Sequence, residues 1–433
     1  MKFLFLSEDL IAGYIACKLA HEGHEVKLYI DEEERRENLD NMVTKISDWE
    51  SELDWVGKND GIVVIDNTSM GEICDRLRGE GYYVFGSGTR AVNLENERQG
   101  TQDIFNSYEL DSYPTFDFTD IDKAIEHIRK NPKAWVIKKN DVAVNSISYV
   151  GKIDSGDDVI DVLKNYAIHN SKNASRISLQ EKINGVEIAI ARYFNGTDWV
   201  SPIEINIEHN PFFPGDIGLS TSEMGTIGWY THNEENELFK RTLAKVKPYL
   251  QEINYRGVVD INCIANADGV FPLEFTARFG SPIVHLQSEM LASSWGDLIA
   301  SCAKGTSYMS TWKEGYGIVV FVVTPPFPYL KHLEEFNPKG QKVYLLDQSD
   351  NLSKHIHFED VSYDNVHNSY YISDTRGYTL YVTASHNEFK EAQRLVYERI
   401  EKVYFPKMMY RNDIGSKFLN TDFEKLRLWR YIE

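Results

Sequence analysis

The sequence predicts an α/β (α+β) protein with an N-terminal doubly wound parallel sheet and a strand-rich C-terminal domain. Two observations favour this fold class. Apolar strands alternate with helices in the first part of the chain, which is typical of a parallel sheet. Beyond the proline-rich segment "TPPFPYL" at 324–330, predicted strands dominate until a last helix at 387–403.

The length of the chain predicts several domains. At 433 residues it exceeds the size of a single hydrophobic core. We expect an N-terminal domain at 1–111, a central region at 112–316 and a C-terminal domain at 317–433. Within the central region, a small subdomain is expected at about 120–183.

The N-terminal elements follow from short apolar runs separated by helical segments. The predicted strands are 2–6, 25–30, 61–66 and 82–86, and the predicted helices are 9–22 and 69–80. The turn after the first strand, "LSEDLIAG", has no glycine before Gly13. The G-x-G-x-x-G fingerprint of dinucleotide-binding folds is therefore absent.

The central region opens with a predicted linker, "SYPTFDF" at 112–118. Periodicity and turn residues then predict its remaining elements. The helices are 121–130, 156–168 and 234–252; the strands are 134–140, 147–153, 176–183, 187–195, 199–207, 256–266 and 270–278; and a loop covers 209–229.

The charge balance argues against nucleic-acid binding. Lys and Arg number 46 against 66 Asp and Glu, giving a formal charge of -20. Such a field repels phosphate backbones, so we expect small-molecule substrates and no extended nucleic-acid surface. The strongest apolar run, 318–323, is too short to span a membrane. We expect a monomer or a homodimer.

The cysteines and the first residues predict a cytoplasmic protein. The cysteines, Cys17, Cys74, Cys263 and Cys302, form no C-x-x-C pair, which favours reduced thiols over disulfides or a zinc site. Glu8 and Asp9 interrupt the apolar start, so it does not resemble a signal peptide. No histidine spacing supports a histidine metal site.

The stretch "FPLEFTARFGSP" gives the strongest chemical signal. Alternation places Glu274, Thr276 and Arg278 on one face of a strand. Asp260 lies on the neighbouring antiparallel strand and can face the same side. Two carboxylates on rigid strands suit Mg²⁺, and Arg278 can clamp an anion. The alternative is a solvated strand face with a salt bridge.

Three other positions are weaker candidates. Lys138 ends the apolar run "AWVI", where it either meets a phosphate or is a solvated strand end. Glu187 follows a glycine turn and either binds a ribose hydroxyl or is an edge charge. The loop "GDIGLSTSEMG" combines glycines, hydroxyls and acids, as substrate-covering loops do, but it is also compatible with a merely flexible loop.

In chain order, these segments resemble the phosphoribosylamine–glycine ligase family, whose members have the ATP-grasp fold. "PLEFTARFGSP" is similar to the family's metal-and-substrate strand, and "GDIGLSTSEMG" to its substrate loop. "AWVIKKN" is similar to its phosphate-lysine strand and "LQEKINGVEIA" to its adenine and ribose hinge. The end of the chain, with "YRNDIG", resembles the family's last domain.

The resemblance implies a ligase that uses ATP and Mg²⁺ to phosphorylate a carboxylate, which an amine then attacks. It implies metal ligands at Asp260 and Glu274, and a catalytic and substrate-binding anion clamp at Arg278. The other implied contacts are Lys138 to the α-phosphate, the backbone of Glu181, Lys182 and Ile183 to adenine, Glu187 to ribose, and Asp216, Ser220 and Thr221 to substrate.

Two departures from the family pattern concern ATP. Where the family has Gly-Lys-Gly in its phosphate loop, this chain has Asn145-Ser146-Ile147, which lacks the flexible glycines and the charge. The metal-binding Asn of the family is Thr276, and an acid of the hinge is Gln180. We therefore expect weak ATP affinity or a preference for another phosphorylated ligand.

Two further departures concern the substrates. Glu8 and Asp9 stand in the first turn, where the family receives the phosphate of phosphoribosylamine, and they favour a cation over an anion. Gly280-Ser281-Pro282-Ile283 replaces Gly-Asp-Pro-Glu and lacks both acids. The leading interpretation is therefore a divergent ligase that joins an amino acid to another amine acceptor.

Two alternatives remain open at this point. The chain is compatible with an ATP-independent transferase that moves an amino acid onto an already activated nucleotide or modified base. It is also compatible with a non-catalytic nucleotide-binding module. The shared set of Lys138, Glu187, Asp260, Glu274 and Arg278 favours an enzyme, since a scaffold does not need all of them.

Overall fold

The computed structural model describes residues 1–138, 149–169, 177–329, 336–347 and 350–432. In chain order, the strands of these ranges, β1 to β23, are Lys2–Ser7, Glu25–Ile30, Thr44–Ile46, Ile62–Ile65, Tyr83–Phe85, Thr115–Phe118, Trp135–Lys138, Tyr149–Val150, Ile177–Glu181, Val186–Asn195, Ile203–Glu208, Pro211–Phe213, Ile217–Ser220, Gly225–Thr231, Arg256–Ala265, Val270–Thr276, Tyr316–Val322, Lys342–Leu345, Ile356–Phe358, Val361–Asp364, Ser369–Ile372, Leu380–His386 and Val403–Tyr404.

The α-helices of the same ranges are α1 to α14. In chain order they are Gly13–His21, Leu53–Val56, Gly71–Gly79, Thr89–Asn96, Arg98–Ser107, Ile121–Lys130, Asp157–His169, Glu237–Arg241, Leu243–Glu252, Ile283–Met290, Trp295–Lys304, Asp350–Ser353, Phe389–Ile400 and Phe423–Leu428. None of the helices in the described part of the chain is long and apolar enough to cross a membrane.

The N-terminal sheet is parallel and doubly wound, as predicted. Its strand order is β3-β2-β1-β4-β5, and every pairing is parallel. Alternate residues of β1 enter different cores: Phe3 and Phe5 pack on the side of α1, and Leu4 and Leu6 on the side of α3. Burial on both faces explains why "KFLFLS" is almost continuously apolar.

An antiparallel eight-stranded sheet forms the centre of the molecule. Its order is β16-β15-β10-β11-β14-β17-β22-β19. Strand β17 pairs with β14 on one side and with β22 on the other. The sheet therefore runs on from the central region into the C-terminal part of the chain without an edge between them.

A separate four-stranded sheet, β6-β9-β7-β8, lies over one end of the central sheet. Helices α6 and α7 cover it, and their apolar faces share a small core with Trp135 and Leu179. The predicted linker at 112–118 is wrong in its second half, because Thr115–Phe118 pairs with β9. Phe116 of this strand packs edge-on against Trp135.

The predicted loop at 209–229 is also wrong. It contains the hairpin of β12 and β13 and the sheet strand β14. Strand β14 lies between β11 and β17, so its glycines and β-branched residues fill a central position. The glycine-rich composition that suggested a loop instead permits close packing, since a Cβ on Gly228 would press on the backbone of Ile205.

Two helices begin or break at positions that the periodicity did not predict. Helix α1 begins at Gly13 and not at residue 9, because Leu10 has a φ of 66°. The predicted helix 234–252 is divided at Thr242, whose φ of -125° and ψ of -99° are not helical. The Thr242 hydroxyl donates to the Leu238 carbonyl at 2.6 Å, so the side chain helps to end the first helix.

Candidate functional site

A polar cavity of about 350 Å³ opens between the β15–β16 edge of the central sheet and the small four-stranded sheet. Strands β7, β10, β11, β15 and β16 all contribute side chains to its lining, together with the segment that follows β13. The predicted site residues that line it are Lys138, Glu187, Ser220, Thr221, Asp260, Glu274 and Arg278.

The strand pair β15–β16 fixes the predicted carboxylates. Asp260 lies opposite Thr276, and Asn262 lies opposite Glu274. Because side chains alternate along a strand, these four residues share one face. The expectation that Asp260 and Glu274 face the same side therefore agrees with the register, and Asn262 is an addition that the sequence analysis missed.

The surroundings of Asp260 favour its protonated form. Burial raises the pKa of its carboxyl to about 7, and the neighbouring carboxylates of Glu204 and Glu274 act in the same direction. The Asn206 amide donates to Asp260 at 3.2 Å. A nearby divalent cation would oppose this shift, since it favours the ionised carboxylate.

Two further carboxylates, Glu208 and Glu223, lie deeper in the cavity. Burial raises the pKa of Glu208 well above its usual range, and repulsion by Asp260 adds to the effect. The pKa of Glu223 is raised well above its usual range by burial and then by Glu208. Glu223 has a φ of 150°, a conformation that side chains rarely adopt.

The sequence contains a signal for Glu208, which the sequence analysis missed. In "IEINIE", Glu204, Asn206 and Glu208 alternate with isoleucines along β11. This period places all three polar side chains on one face of a central strand. Glu223 has no such signal, because only the tertiary fold brings it against β11.

Two cations lie near the mouth of the cavity. Burial lowers the pKa of Lys138 to about 8, and the nearby Arg98 guanidinium lowers it as well, against the attraction of Glu274 and Glu187. Burial also lowers the pKa of Arg98, which Glu274 attracts. Arg98 is the first residue of α5, and the sequence analysis did not single it out.

Arg278 lines the cavity from the far end of β16. Its Nε donates to Glu95 at 3.0 Å, and its Nη1 donates to the Phe279 carbonyl at 2.8 Å. Two partners on one side hold the planar guanidinium in a fixed direction. The predicted anion clamp is therefore an ion-paired arginine whose orientation is set by Glu95.

The predicted hinge lies where β9 ends. The backbone N–H of Lys182 donates to Ala134 at 3.0 Å, and the Glu181 carboxylate pairs with Lys133 at 2.6 Å. Ile183 is buried. Glu187 stands at the open mouth of the cavity, where solvent reaches it; even so, the surrounding protein raises the pKa of its carboxyl, and Glu274 raises it further.

The predicted substrate loop divides into two parts. Ser220 and Thr221 line the cavity, and the Thr221 hydroxyl donates to the Asn210 carbonyl at 2.7 Å. Asp216 is not among the lining residues. Its carboxylate instead accepts from Arg411 at 3.0 Å, so it ties the β12–β13 hairpin to the end of the chain.

The first βα turn is closed by an acid that the sequence analysis missed. The Asp66 carboxylate accepts from the Ser7 hydroxyl at 2.8 Å and from the backbone N–H of Ala12 at 3.0 Å. Glu8 and Asp9 precede α1 and cannot complement its helix dipole, because the first turn of the helix contains no acid. Asp66 takes that role.

Burial and then the neighbouring Asp9 raise the pKa of Asp66 to about 7. Burial also raises the pKa of Glu8, with Asp9 adding to the shift. This turn is therefore acidic, and the Ala12 N–H at the start of α1 already donates to Asp66. The predicted phosphate loop, which includes Asn145-Ser146-Ile147, lies outside the described residues.

The comparisons with known proteins relate this fold to the ATP-grasp class. Residues 97–284 match the family model of the phosphoribosylglycinamide synthetase ATP-grasp (A) domain. A phosphoribosylamine–glycine ligase of Halalkalibacterium halodurans is 26% identical over 357 residues, which cover 80% of this chain and 79% of that protein.

Two solved structures have the same fold. The phosphoribosylamine–glycine ligase of Thermotoga maritima has a TM-score of 0.71 at 19% identity, covering 96% of this chain and 100% of its own. The biotin carboxylase domain of Hydrogenobacter thermophilus 2-oxoglutarate carboxylase, solved with MgADP, ADP and bicarbonate, has a TM-score of 0.64 at 12% identity, covering 100% and 99%.

Residues 97–284 are thus similar to an ATP-grasp domain, and the chain as a whole is similar to phosphoribosylamine–glycine ligases. The predicted resemblance to this family, the fold class and the assignment as an ATP-grasp ligase are confirmed. The site residues stay predictions, now with positions in one cavity for most of them.

Proposed function

We propose that the protein is an ATP- and Mg²⁺-dependent ligase that joins a carboxylate substrate, an amino acid, to an amine acceptor other than phosphoribosylamine. One observation carries the proposal: the paired strands β15 and β16 present Asp260 and Glu274 to the same cavity as Lys138 and Arg278. The comparisons with known ligases suggest the class of reaction. The acids of the first βα turn, Glu8 and Asp9, favour an acceptor other than phosphoribosylamine.

The two carboxylates suit a Mg²⁺ ion that is shared with a nucleotide, rather than a metal ion held by protein ligands alone. No cluster of three or more His, Cys, Asp or Glu side chains is arranged to hold a metal within the described ranges. Mg²⁺ usually binds through one or two carboxylates, several waters and nucleotide phosphates. Asp260 and Glu274 would hold it, and its charge would favour transfer of the γ-phosphoryl group.

The reaction has two steps. A carboxylate oxygen of the donor attacks the γ-phosphorus of ATP, the bond to the β-phosphate breaks, and ADP leaves with the acyl phosphate formed. The amine nitrogen then attacks the acyl carbon, the C–O bond to phosphate breaks, and an amide, inorganic phosphate and a proton result. Both steps create negative charge on phosphoryl oxygens.

The residues of this chain act by position and charge. Lys138 and Arg98 lie where they can neutralise phosphate oxygens, and burial strengthens such contacts. Arg278, held by Glu95, would orient a carboxylate at the far end of the cavity. The backbone at 181–183 and the Glu187 carboxylate would bind adenine and ribose. We also propose a cytoplasmic location and a monomeric or homodimeric state.

The test is ATP binding and turnover with the purified protein. Isothermal titration should show Mg²⁺-dependent ATP binding, and Glu274→Gln should weaken it at least tenfold, because one carboxylate ligand is lost. Glu274 is solvent-exposed, so the melting temperature of the variant should stay within a few degrees of wild type.

Amine-dependent release of ADP would then separate this ligase from the alternatives. An ATP-independent transferase or a non-catalytic module releases no ADP with any pair of amino acid and amine. Equal ATP affinity in wild type and Glu274→Gln would contradict the metal assignment.

A further inference from the structure

The buried end of the cavity has a carboxylate oxygen with no partner. Glu223 is only 4% exposed, lines the cavity, and its Oε1 has no hydrogen-bond partner. Glu208 and Asp260 line the same cavity and lie close enough to Glu223 to repel its charge. A buried carboxyl without a partner costs free energy whether it stays protonated or ionises. A positive group bound beside Glu223 and its two acidic neighbours would supply the missing partner.

The neighbouring amides reinforce this imbalance. The Asn262 side chain donates to Glu208 at 3.0 Å, and that of Asn206 donates to Asp260 at 3.2 Å. The Oδ1 atoms of both asparagines are buried and have no partner. The buried end therefore offers several acceptors whose nearby donors are already used.

The cations of the cavity serve other acids. Lys138 interacts with Glu274 and Glu187 at the mouth, and Arg278 is paired with Glu95 at 3.0 Å. A protein cation therefore does not fill the buried end in the described structure. The acids there are also not arranged as a metal cluster in the residues described.

We propose that Glu208 and Glu223 bind a protonated primary amine of the substrate at the buried end of the cavity. An ammonium group has three donors and no acceptor, which matches a site made of carboxylate and amide oxygens. This subsite rests on the proposed ligase function and narrows it: one substrate carries an ammonium group that is recognised, and not acylated, while it is bound there.

Two kinds of substrate supply this chemistry. The ammonium is either the α-amino group of the donor amino acid or a second amine on the acceptor. A protonated amine is not a nucleophile, so in either case the nitrogen held by Glu223 differs from the one that attacks the acyl phosphate. The two sources are distinguished by the kind of probe whose binding depends on Glu223.

The experiment measures binding to the full chain in the presence of ADP and Mg²⁺, with two sets of probes. The first set is amino acids against the matching carboxylic acids without the amine. The second set is linear α,ω-diamines against the matching monoamines. The proteins are wild type, Glu223→Gln, Glu208→Gln and, as a control, Glu25→Gln, which removes an exposed strand carboxylate.

We expect at least one amine probe to bind wild type and Glu25→Gln at least tenfold more tightly than its matched partner. Glu223→Gln and Glu208→Gln should lose this preference. Glu223→Gln should also melt no lower than wild type without ligand, because it replaces a buried carboxyl that lacks a partner by a neutral amide of the same shape. Dependence of amino acids on Glu223 identifies the donor, and dependence of diamines identifies the acceptor.

Equal binding of the amines to wild type and both variants would overturn the proposal, as would tight Mg²⁺ binding that depends on Glu223. A Glu223→Gln protein that melts several degrees lower with unchanged amine binding would assign Glu223 a structural role instead. Binding of ADP and Mg²⁺ is measured separately on each protein. If that binding fails in wild type, the proposed function fails; if only the amine preference fails, the subsite alone is wrong.

Discussion

The role of Lys138 is much better defined in the structure than in the sequence. In the sequence, it is a lysine at the end of an apolar run, and both a phosphate contact and a solvated strand end are open. In the fold, it lines the cavity, and burial and the nearby Arg98 lower its pKa to about 8, against the attraction of Glu274 and Glu187. A lysine with this pKa is charged at neutral pH and loses its charge in mildly alkaline solution.

The pKa of Lys138 gives a prediction for nucleotide binding. If the charged lysine contacts a phosphate, its contribution is present below pH 8 and is lost above it. From pH 7 to pH 9 the protonated fraction falls about tenfold. The advantage of wild type over Lys138→Met in ATP affinity should fall by about the same factor, as measured by titration at both pH values.

The comparison between the two proteins is the control, because the carboxyls of the cavity titrate in both. A wild-type advantage that is the same at pH 7 and pH 9 would show that Lys138 contacts no phosphate. An advantage that grows with pH would reverse the sign of the proposed interaction.

At the scale of elements, the hairpin of β15 and β16 was the most predictable part of the site. Its alternation, its short turn and its carboxylates were all local signals. Its register was not, because a one-residue shift between Asn262 and Cys263 brings Glu274 onto the face of Asp260. The inner acids were not predictable in the same way, because β11, β15 and the segment after β13 meet only in the folded sheet. Asp66 was missed for the same reason, since β4 and the first turn are 54 residues apart.

The elements of the fold could be predicted where the hydrophobic periodicity of the sequence matches the burial in the structure. They were missed where the two disagree. The parallel sheet followed from apolar strands alternating with helices. The glycines of "GTIGWYT" weaken strand propensity and predict a loop at β14, although close packing against β11 favours glycine at residue 228. Pro114 likewise predicts a linker before Thr115–Phe118, although a proline just before a strand removes no ladder hydrogen bond.

The segment at 141–150, which was predicted to cover the phosphates, gives a prediction at this scale. Asn145-Ser146-Ile147 lacks both the glycine backbone and the positive charge that suit a phosphate. The triple variant Asn145→Gly, Ser146→Lys, Ile147→Gly should bind ATP at least threefold more tightly than wild type in a calorimetric titration.

A charge-only control, Ser146→Lys, separates the two contributions. If the backbone matters, the triple variant gains more than the single one. Unchanged or weaker ATP affinity in both would show that this segment does not approach the phosphates.

At the scale of the whole molecule, one buried arginine links the N-terminal part of the chain to the C-terminal part. Arg35 is buried beside the N-terminal sheet and donates to Glu359 at 2.9 Å and to Asp360, with Asp374 at 3.7 Å. It also donates to the Asp9 carbonyl. Three acids of the C-terminal part thus share one cation from the N-terminal part.

Replacing Arg35 should destabilise the protein strongly. Arg35→Met leaves Glu359 and Asp360 without their cation, while Asp374 keeps Arg376 at 3.8 Å. Breaking a buried ion pair in this way costs about 3–5 kcal/mol. Chemical denaturation should show a lower midpoint. The matched control is Arg76→Met, whose partner Glu50 lies at 2.8 Å on the surface and whose loss should cost less than about 1 kcal/mol. Equal effects of the two substitutions would contradict this assignment.

The last prediction concerns the acceptor and uses the same end of the molecule. A phosphate at the first βα turn needs free N–H donors at a helix N-terminus. Here the Ala12 N–H is bonded to Asp66 and the Leu10 N–H to the Ser7 hydroxyl. The nearest buried cation, Arg35, is shared by three acids, and Glu8 and Asp9 add negative charge.

We therefore expect that glycine, ATP and phosphoribosylamine together give no glycinamide ribonucleotide above background with the purified protein. The positive control is the related ligase of Halalkalibacterium halodurans, assayed under the same conditions. Rescue of a purine-auxotrophic strain that lacks its own ligase is the test in cells, and we expect none. Robust product in vitro, or rescue, would show that the phosphate binds away from this turn and would assign the protein the activity for which its relatives are named.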